Sequence, residues 1–346
     1  MVGKPTFPLY RLPYVALKVA FDNSHPHDIL RLSMVSKKSY SVCKLFRKKV
    51  KKLSVRFNSL SDICSDCMNT ILYVDWSSDV SPEDSLKLES LKIKDRVFQV
   101  KMDEYVQHTL NFYCDDRVAC LTTLYEYLTD FYEVPLNEVF LNGDSMTVLD
   151  KILTRQQTLP VCELYHPKSG DEEVRWFLDR IENRVTQCLA LTVTTSENFR
   201  LNLRQPIKTE SICLGECFTL SFDNLSELNT RLLYADKTSL TCEDLNSYLK
   251  KWLIGEGNPN LGCLKLMLNS INVNTVLNGI EFIHRHHQND VVYFSSKYFP
   301  WEFNKSFEIR RNDGTIASIV MKNGVNTVFK LAVWPDLHGN VYPELQ

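Results

Sequence analysis

Beyond Pro135, short apolar runs recur some 20 to 30 residues apart: Leu136 to Leu141, Val161 to Tyr165, Leu189 to Val193, Ser211 to Leu214, Arg231 to Ala235 and Leu264 to Leu268. Runs of this length bounded by polar turns read as strands. Several are separated by segments of helical spacing, Met146 to Gln156, Glu172 to Arg184 and Glu243 to Leu253. Such alternation confines the chain to strand–helix units laid side by side, because parallel strands need a crossover and a helix is the usual one. The expectation is an irregular, leucine-rich-repeat-like domain with a curved parallel sheet. The period varies and the Leu-x-x-Leu-x-Leu-x-x-Asn signature is never complete, so an ordinary α/β domain is the competing expectation.

The clearest single element is residues 240–261, LTCEDLNSYLKKWLIGEGNPNL. Thr241 with Asp244 three residues on makes a start like a capping box. Leu245, Tyr248, Leu249, Trp252 and Leu253 form one apolar stripe, and Gly255 can end the helix. Tyr248 and Trp252 at this spacing read as core.

Residues 53–134 read as a connecting β/α region. Strands are expected at Leu53 to Phe57, Thr70 to Val74 and Val97 to Met102, with a polar connection from Asp79 to Leu91. Leu121, Leu124, Tyr125, Leu128 and Phe131 mark an amphipathic helix over Val118 to Phe131.

Residues 6–52 differ in kind. Pro13 suits the first turn of a helix that Asn23-Ser24 and Pro26 should end near Asp22. Its residues are apolar nearly all round, with only Lys18 and Asp22 plainly polar, and such a helix must be covered on two sides. Pro26 opens a second short helix with Asp28 in its first turn, and Ser36 caps a third with Tyr40, Cys43 and Phe46 or Val50 inward. From Phe7 to Phe46, 21 of 40 residues are apolar, more than three short helices can hide among themselves. The surplus needs either the rest of the chain or another protein as its cover.

This segment is also basic. Residues 1–60 hold 13 Lys and Arg against 2 Asp, a surplus of +11 in a chain whose total is −2, which leaves −13 elsewhere. The run Arg47 to Lys52 is read as the polar flank of the third helix; nucleic-acid binding through that helix is the disfavoured alternative, because nothing identifies side chains that reach base edges. Eleven cysteines without regular spacing, in a chain large enough to need no staples, point to thiols in a reducing intracellular compartment, cytoplasmic or nuclear. No run of about 18 apolar residues predicts a membrane span, and the stretch Leu12 to Phe21, broken by Pro13 and Lys18, is not expected to be a signal peptide.

The order Leu12-Pro13, helix, break, Asp28-Ile29-Leu30-x-Leu32 and Val35-Ser36-Lys37 resembles the F-box. The wording FPLYRLPYVAL with LRLSMVSKKS is most similar to the large nematode F-box group. Downstream, Ser239-Leu240-Thr241, Asp244-Leu245-Asn246, Lys250-Lys251-Trp252 and Asn258-Pro259-x-Leu261 look like the type 2 F-box-associated domain. Ile309-Arg310-Arg311-x-Asp313-Gly314-Thr315 followed by Val333-Trp334 is similar to that domain's ending. The resemblance implies an F-box over residues 6–52 and an F-box-associated domain over 135–340. It further implies a Skp-type adaptor of a cullin–RING ubiquitin ligase as partner, with an unknown protein target on the second domain. The adaptor contact is then expected on Leu12, Pro13, Val15, Leu17, Ile29, Leu30, Leu32 and Val35, some of which must serve the motif's own core. A scaffold acting outside a ligase is the alternative.

No catalytic residue, cofactor or metal site is expected. Cys64-x-x-Cys67 lacks a second pair of matching spacing, Cys114 and Cys120 being the nearest candidates, and reads as ordinary thiols. His284, His286 and His287 read as a solvated turn, and no phosphate-loop, dinucleotide, nucleophile-elbow or zincin motif occurs.

Overall fold

The computed structural model describes residues 9–57, 62–65, 70–75, 89–102, 110–113, 116–201, 207–215, 219–295, 300–324 and 327–342. They fall into two compact units, Met1–Gln156 and Gln157–Gln346.

The first unit opens with three helices, α1 Tyr14–Asp22, α2 Pro26–Ser33 and α3 Lys37–Phe46. Strands β1 Leu53–Arg56, β2 Asp62–Ser65, β3 Thr70–Asp75, β4 Glu89–Ile93, β5 Arg96–Met102, β6 Leu110–Tyr113 and β7 Glu138–Asn142 then form a mixed sheet in the order β7-β1-β2-β3-β6-β5-β4. Helix α4, Arg117–Tyr132, starts on Asp116, whose side chain accepts from the Ala119 N–H at 2.9 Å, and buries Leu121, Leu124, Tyr125, Leu128 and Phe131. Helix α5, Val148–Arg155, closes the unit.

Two expectations are corrected here. Within the supposed polar connection, β4 is a strand whose Leu91 and Ile93 are buried while Glu89, Ser90 and Lys92 face solvent. Only two of its five residues look inward, too short an alternation to register as a period. β7, read as opening the carboxyl-terminal domain, lies parallel to β1 and continues the first sheet.

In the second unit, β8 Leu159–His166, β9 Val185–Val193, β10 Ser211–Leu214, β11 Leu232–Ala235 and β12 Cys263–Leu268 pair in parallel, each with the next. Helices α6 Asp171–Ile181, α7 Phe222–Glu227 and α8 Cys242–Leu253 lie between them in the chain. Right-handed crossovers between strands taken in sequence order put every helix on the same face of the sheet. That face is apolar and buried, with Leu189, Leu191, Ile212, Leu214, Leu233, Leu264 and Leu266. The alternate residues, among them Ala190, Cys213, Tyr234 and Lys265, are only half-buried.

The parallel succession stops at β12. From there the sheet continues in antiparallel pairing through β16 Thr327–Val333, β15 Ile316–Lys322 and β14 Pro300–Arg310 to β13 Ile283–Phe294, with α9 Val273–Val276 preceding β13. The architecture is thus a mixed α/β domain with a large sheet, in which sequential strand–helix units account for five strands. The HRHH cluster lies in β13 and not in a turn, because β14 supplies its backbone partners: His284 pairs with Phe307 and His286 with Lys305. Among the described residues no helix is long and apolar enough to cross a membrane.

Candidate functional site

The first three helices follow their punctuation. Pro13 precedes α1 with φ −57°, and its carbonyl accepts from the Leu17 N–H at 3.0 Å. The Ser36 hydroxyl caps α3 by accepting from the Ser39 N–H at 3.1 Å. Phe21 stacks on Phe46 at 4.9 Å, and Ile29, Leu30, Met34 and Cys43 complete a small core. Burial pushes the Cys43 thiol up to about 12, so it is packing material and not a nucleophile.

One side of this bundle is covered by α4. The Tyr40 ring lies 5.4 Å from Tyr127 and 5.7 Å from Phe131, and the buried Ser33 hydroxyl shares a 2.7 Å hydrogen bond with that of Tyr127. At the end of α4, Glu133 takes the Lys44 ammonium at 2.9 Å and the Arg47 guanidinium, while Arg31 reaches Glu89 at 2.5 Å. The paired cations hold the Glu133 carboxyl below the usual carboxylate value.

The remaining surface stays open. Of the residues expected at the adaptor contact, Ile29 and Leu30 are buried in the bundle, Leu12, Leu17 and Leu32 are half-buried, and Pro13, Val15 and Val35 are exposed. Val15 is 72% exposed and Val35 63%. Tyr14, Val19 and Leu45, at 65%, 56% and 77%, extend the apolar exposure and were absent from the expected set. The signal for Leu45 was available: it falls two positions past Cys43, off the inward stripe of α3. Tyr14 and Val19 were hidden by the uniform apolarity of α1.

The basic run is not helical. α3 ends at Phe46, and the Lys44 and Arg47 charges are taken by Glu133 while Lys48 Nζ donates to the Asp22 carbonyl at 3.0 Å. Lys49, Lys51 and Lys52 remain exposed.

Among the described residues, no group of three or more His, Cys, Asp and Glu side chains is placed to hold a metal ion. Cys67 and Cys114 lie outside the described residues, as does the Cys64 side chain. Cys120 is disulfide-bonded, which corrects the expectation of thiols throughout, whereas Cys43, Cys162, Cys188, Cys213, Cys242 and Cys263 are free.

In the second unit the segments that resemble the F-box-associated domain meet in space. The Thr241 hydroxyl accepts from the Asp244 N–H at 3.1 Å and the Asp244 carboxylate accepts from the Thr241 N–H at 2.9 Å, closing the capping box of α8. Leu245, Tyr248, Leu249 and Trp252 are buried, and Gly255 has φ +82° just beyond the helix. The Asn246 amide donates to the Val276 and Asn278 carbonyls, both at 2.8 Å, and that of Asn258 to Thr230 at 2.6 Å. Arg311 pairs with Asp313 at 2.7 Å across a turn that needs Gly314 at φ +90°, and its guanidinium lies 5.2 Å from the centre of the Trp252 ring. Trp334 donates its indole N–H to Ser318 at 3.0 Å. These residues hold the domain together rather than present a surface to a target.

Family models match the chain at two places, the F-box domain over residues 9–51 and an F-box associated domain over residues 198–266. The chain carries an F-box and an F-box associated domain. No curated protein and no solved structure matches it. The F-box match begins just before α1 and ends in the loop before β1, so it contains the whole bundle and its open apolar surface. The F-box associated match takes in β10, α7, β11 and α8 and most of β12, the heart of the parallel succession.

Proposed function

We propose that the chain is the substrate-recognition subunit of an SCF-type cullin–RING ubiquitin ligase. F-box domains generally bind Skp-type adaptors, and the observation that carries the reading here is the exposure of Tyr14, Val15, Val19, Val35 and Leu45 on a bundle whose other side α4 already covers. Full burial of one such side chain is worth about 1.5–3 kcal/mol, so an adaptor that covers several has ample driving force. Leu12, Pro13, Leu17 and Leu32 border this surface, while Ile29 and Leu30 support it from within.

The second unit takes the target. Transfer of ubiquitin belongs to other subunits, and this chain contributes proximity, which turns an encounter between substrate and charged enzyme into an effectively intramolecular step. No catalytic group or cofactor of its own is required. The sequential parallel strands fit an irregular repeat of the leucine-rich kind, and the setting of such ligases is intracellular, in cytoplasm or nucleus.

The test is co-purification with a Skp-type adaptor. Val15→Asp combined with Val35→Asp should reduce recovery of the adaptor by about a hundredfold, roughly tenfold for each buried charge at 1.4 kcal/mol per decade, without lowering the melting temperature. Leu12→Ala with Pro13→Ala should act in the same direction. Undiminished recovery in both double variants refutes the assignment.

A further inference from the structure

Among the described residues, the crossover helices of the second unit lie on one face of its sheet. On the opposite face the β13–β14 hairpin packs Val291, Tyr293 and Phe303 over Cys263, Val320 and Ala332, and beside this contact a cleft remains at the strand starts. Leu232 and Cys263 form the floor there, Tyr293, Phe294 and Leu337 the sides, and the half-open cavity measures about 350 Å³. Tyr293 fixes the hairpin by donating its hydroxyl to the Gly262 carbonyl at 2.5 Å. Glu210 and Arg231 both stand at the mouth, so that end carries no net charge.

Two residues further along the same strands, the surface turns positive over β12, β16 and β15, while Glu163 on β8 and Asp236, which accepts from the Tyr234 hydroxyl, keep the other end of that row acidic. Tyr234 pairs in register with Lys265, and Lys265 with Lys330. Lys265 Nζ lies 4.4 Å from the Tyr234 ring centre and Lys330 Nζ 4.8 Å from that of Trp301. Lys322, on the strand beyond and opposite Val328, adds a third ammonium to the face. Among the described residues, no carboxylate lies within ion-pair distance of any of the three. Burial, helped by the Lys265 and Lys322 charges, holds the Lys330 ammonium below the ordinary lysine value. Like charges directly opposite on neighbouring strands destabilise a sheet, so this pair is kept at a cost that an anionic guest would remove.

The geometry also sets a spacing. Cys263 under the cavity and Lys265 are two residues apart on β12, about 6.7 Å in an extended strand, which is the separation of side chains i and i+2 on one face of an extended peptide. We propose that this cleft binds an extended acidic peptide segment, with one apolar side chain in the cavity and a carboxylate two residues along meeting Lys265 and Lys330. That the segment belongs to a ubiquitination target rests on the ligase reading; the binding itself does not.

Fluorescence anisotropy of the full-length chain against degenerate peptide libraries tests this, the libraries sharing a fixed core of Leu-x-Glu, Leu-x-Gln or Leu-x-Lys. The Glu library should bind about tenfold or more tighter than the Gln library, with the Lys library weakest and the difference shrinking as salt is raised. Lys265→Ala with Lys330→Ala should abolish the Glu preference at a melting temperature no lower than the parent's, and the Arg versions of both should retain it. Equal binding of Glu and Gln libraries, no binding of either, or a Glu preference that survives the double alanine variant overturns the proposal. So does a single-stranded oligonucleotide that displaces the Glu library with the same lysine dependence, which would make the face a nucleic-acid site. Adaptor recovery by the parent chain separates the two readings: a parent chain that shows no Glu preference but recovers the adaptor rejects the cleft alone, and one that shows the Glu preference but recovers no adaptor rejects the ligase alone.

Discussion

Asp336 is almost fully buried, yet its carboxylate is held in the charged form. It accepts from the Phe294 N–H at 3.1 Å and from the His338 N–H, the Asn340 N–H and the Asn340 side-chain amide at 2.9 Å each. Burial alone pushes its pKa up; the four donors, led by the Asn340 amide, more than reverse this and leave it below the ordinary aspartate value. Its contribution to stability is therefore present above the unfolded pKa of about 3.9 and lost as pH falls through the lower folded value. Asp336→Asn should destabilise the second unit by about 1–3 kcal/mol at neutral pH in urea titrations, with the gap to the parent closing toward pH 2. Within the F-box, single residues separate folding from docking. Leu30→Ala, at a fully buried site, should lose about 2–5 kcal/mol of stability and weaken adaptor recovery only as a consequence, whereas Val35→Asp should leave the melting temperature alone.

At the scale of elements, α8 is the case where every local signal agrees: cap, stripe and terminating glycine. Thr241→Ala removes the cap and should cost about 1 kcal/mol, read as a drop of about 2–4 °C in melting temperature. The same agreement made β8 to β12 legible, since strands buried on their helix-facing side read as apolar runs. β13 was illegible for the opposite reason. His284, Arg285, His286, His287, Gln288, Asn289 and Asp290 put polar groups on both faces, and burial begins only at Val291 and Tyr293. Its pairing is decided by β14 and not by any pattern of its own. The open side of α1 was equally hidden. A helix apolar all round does not say which of Tyr14, Leu17 and Phe21 turns inward; Phe21 does because Phe46 is there to stack on it, and Tyr14 is left 65% exposed.

For the whole molecule, the apolar surplus of the first forty residues is only partly covered by the chain itself. α4 takes the side that carries Tyr40 and Ser33, and the other side, with Tyr14, Val15, Val19, Val35 and Leu45, stays exposed. The basic surplus is divided in the same way, some of it bound to Glu133 and Glu89 and the rest exposed on Lys49, Lys51 and Lys52. A fragment of residues 1–52 should therefore give poorly dispersed NMR spectra, and residues 1–156 should give a folded module that binds the adaptor as the full chain does. A folded, adaptor-binding 1–52 fragment would contradict the buttressing role of α4. The Tyr40–Tyr127–Phe131 contact thus fixes where the molecule can be cut and rejoined. A chimera that grafts a foreign recognition domain behind this F-box should be spliced after Gln156, since a joint at Lys52 would hand the new protein a docking module with its back wall missing.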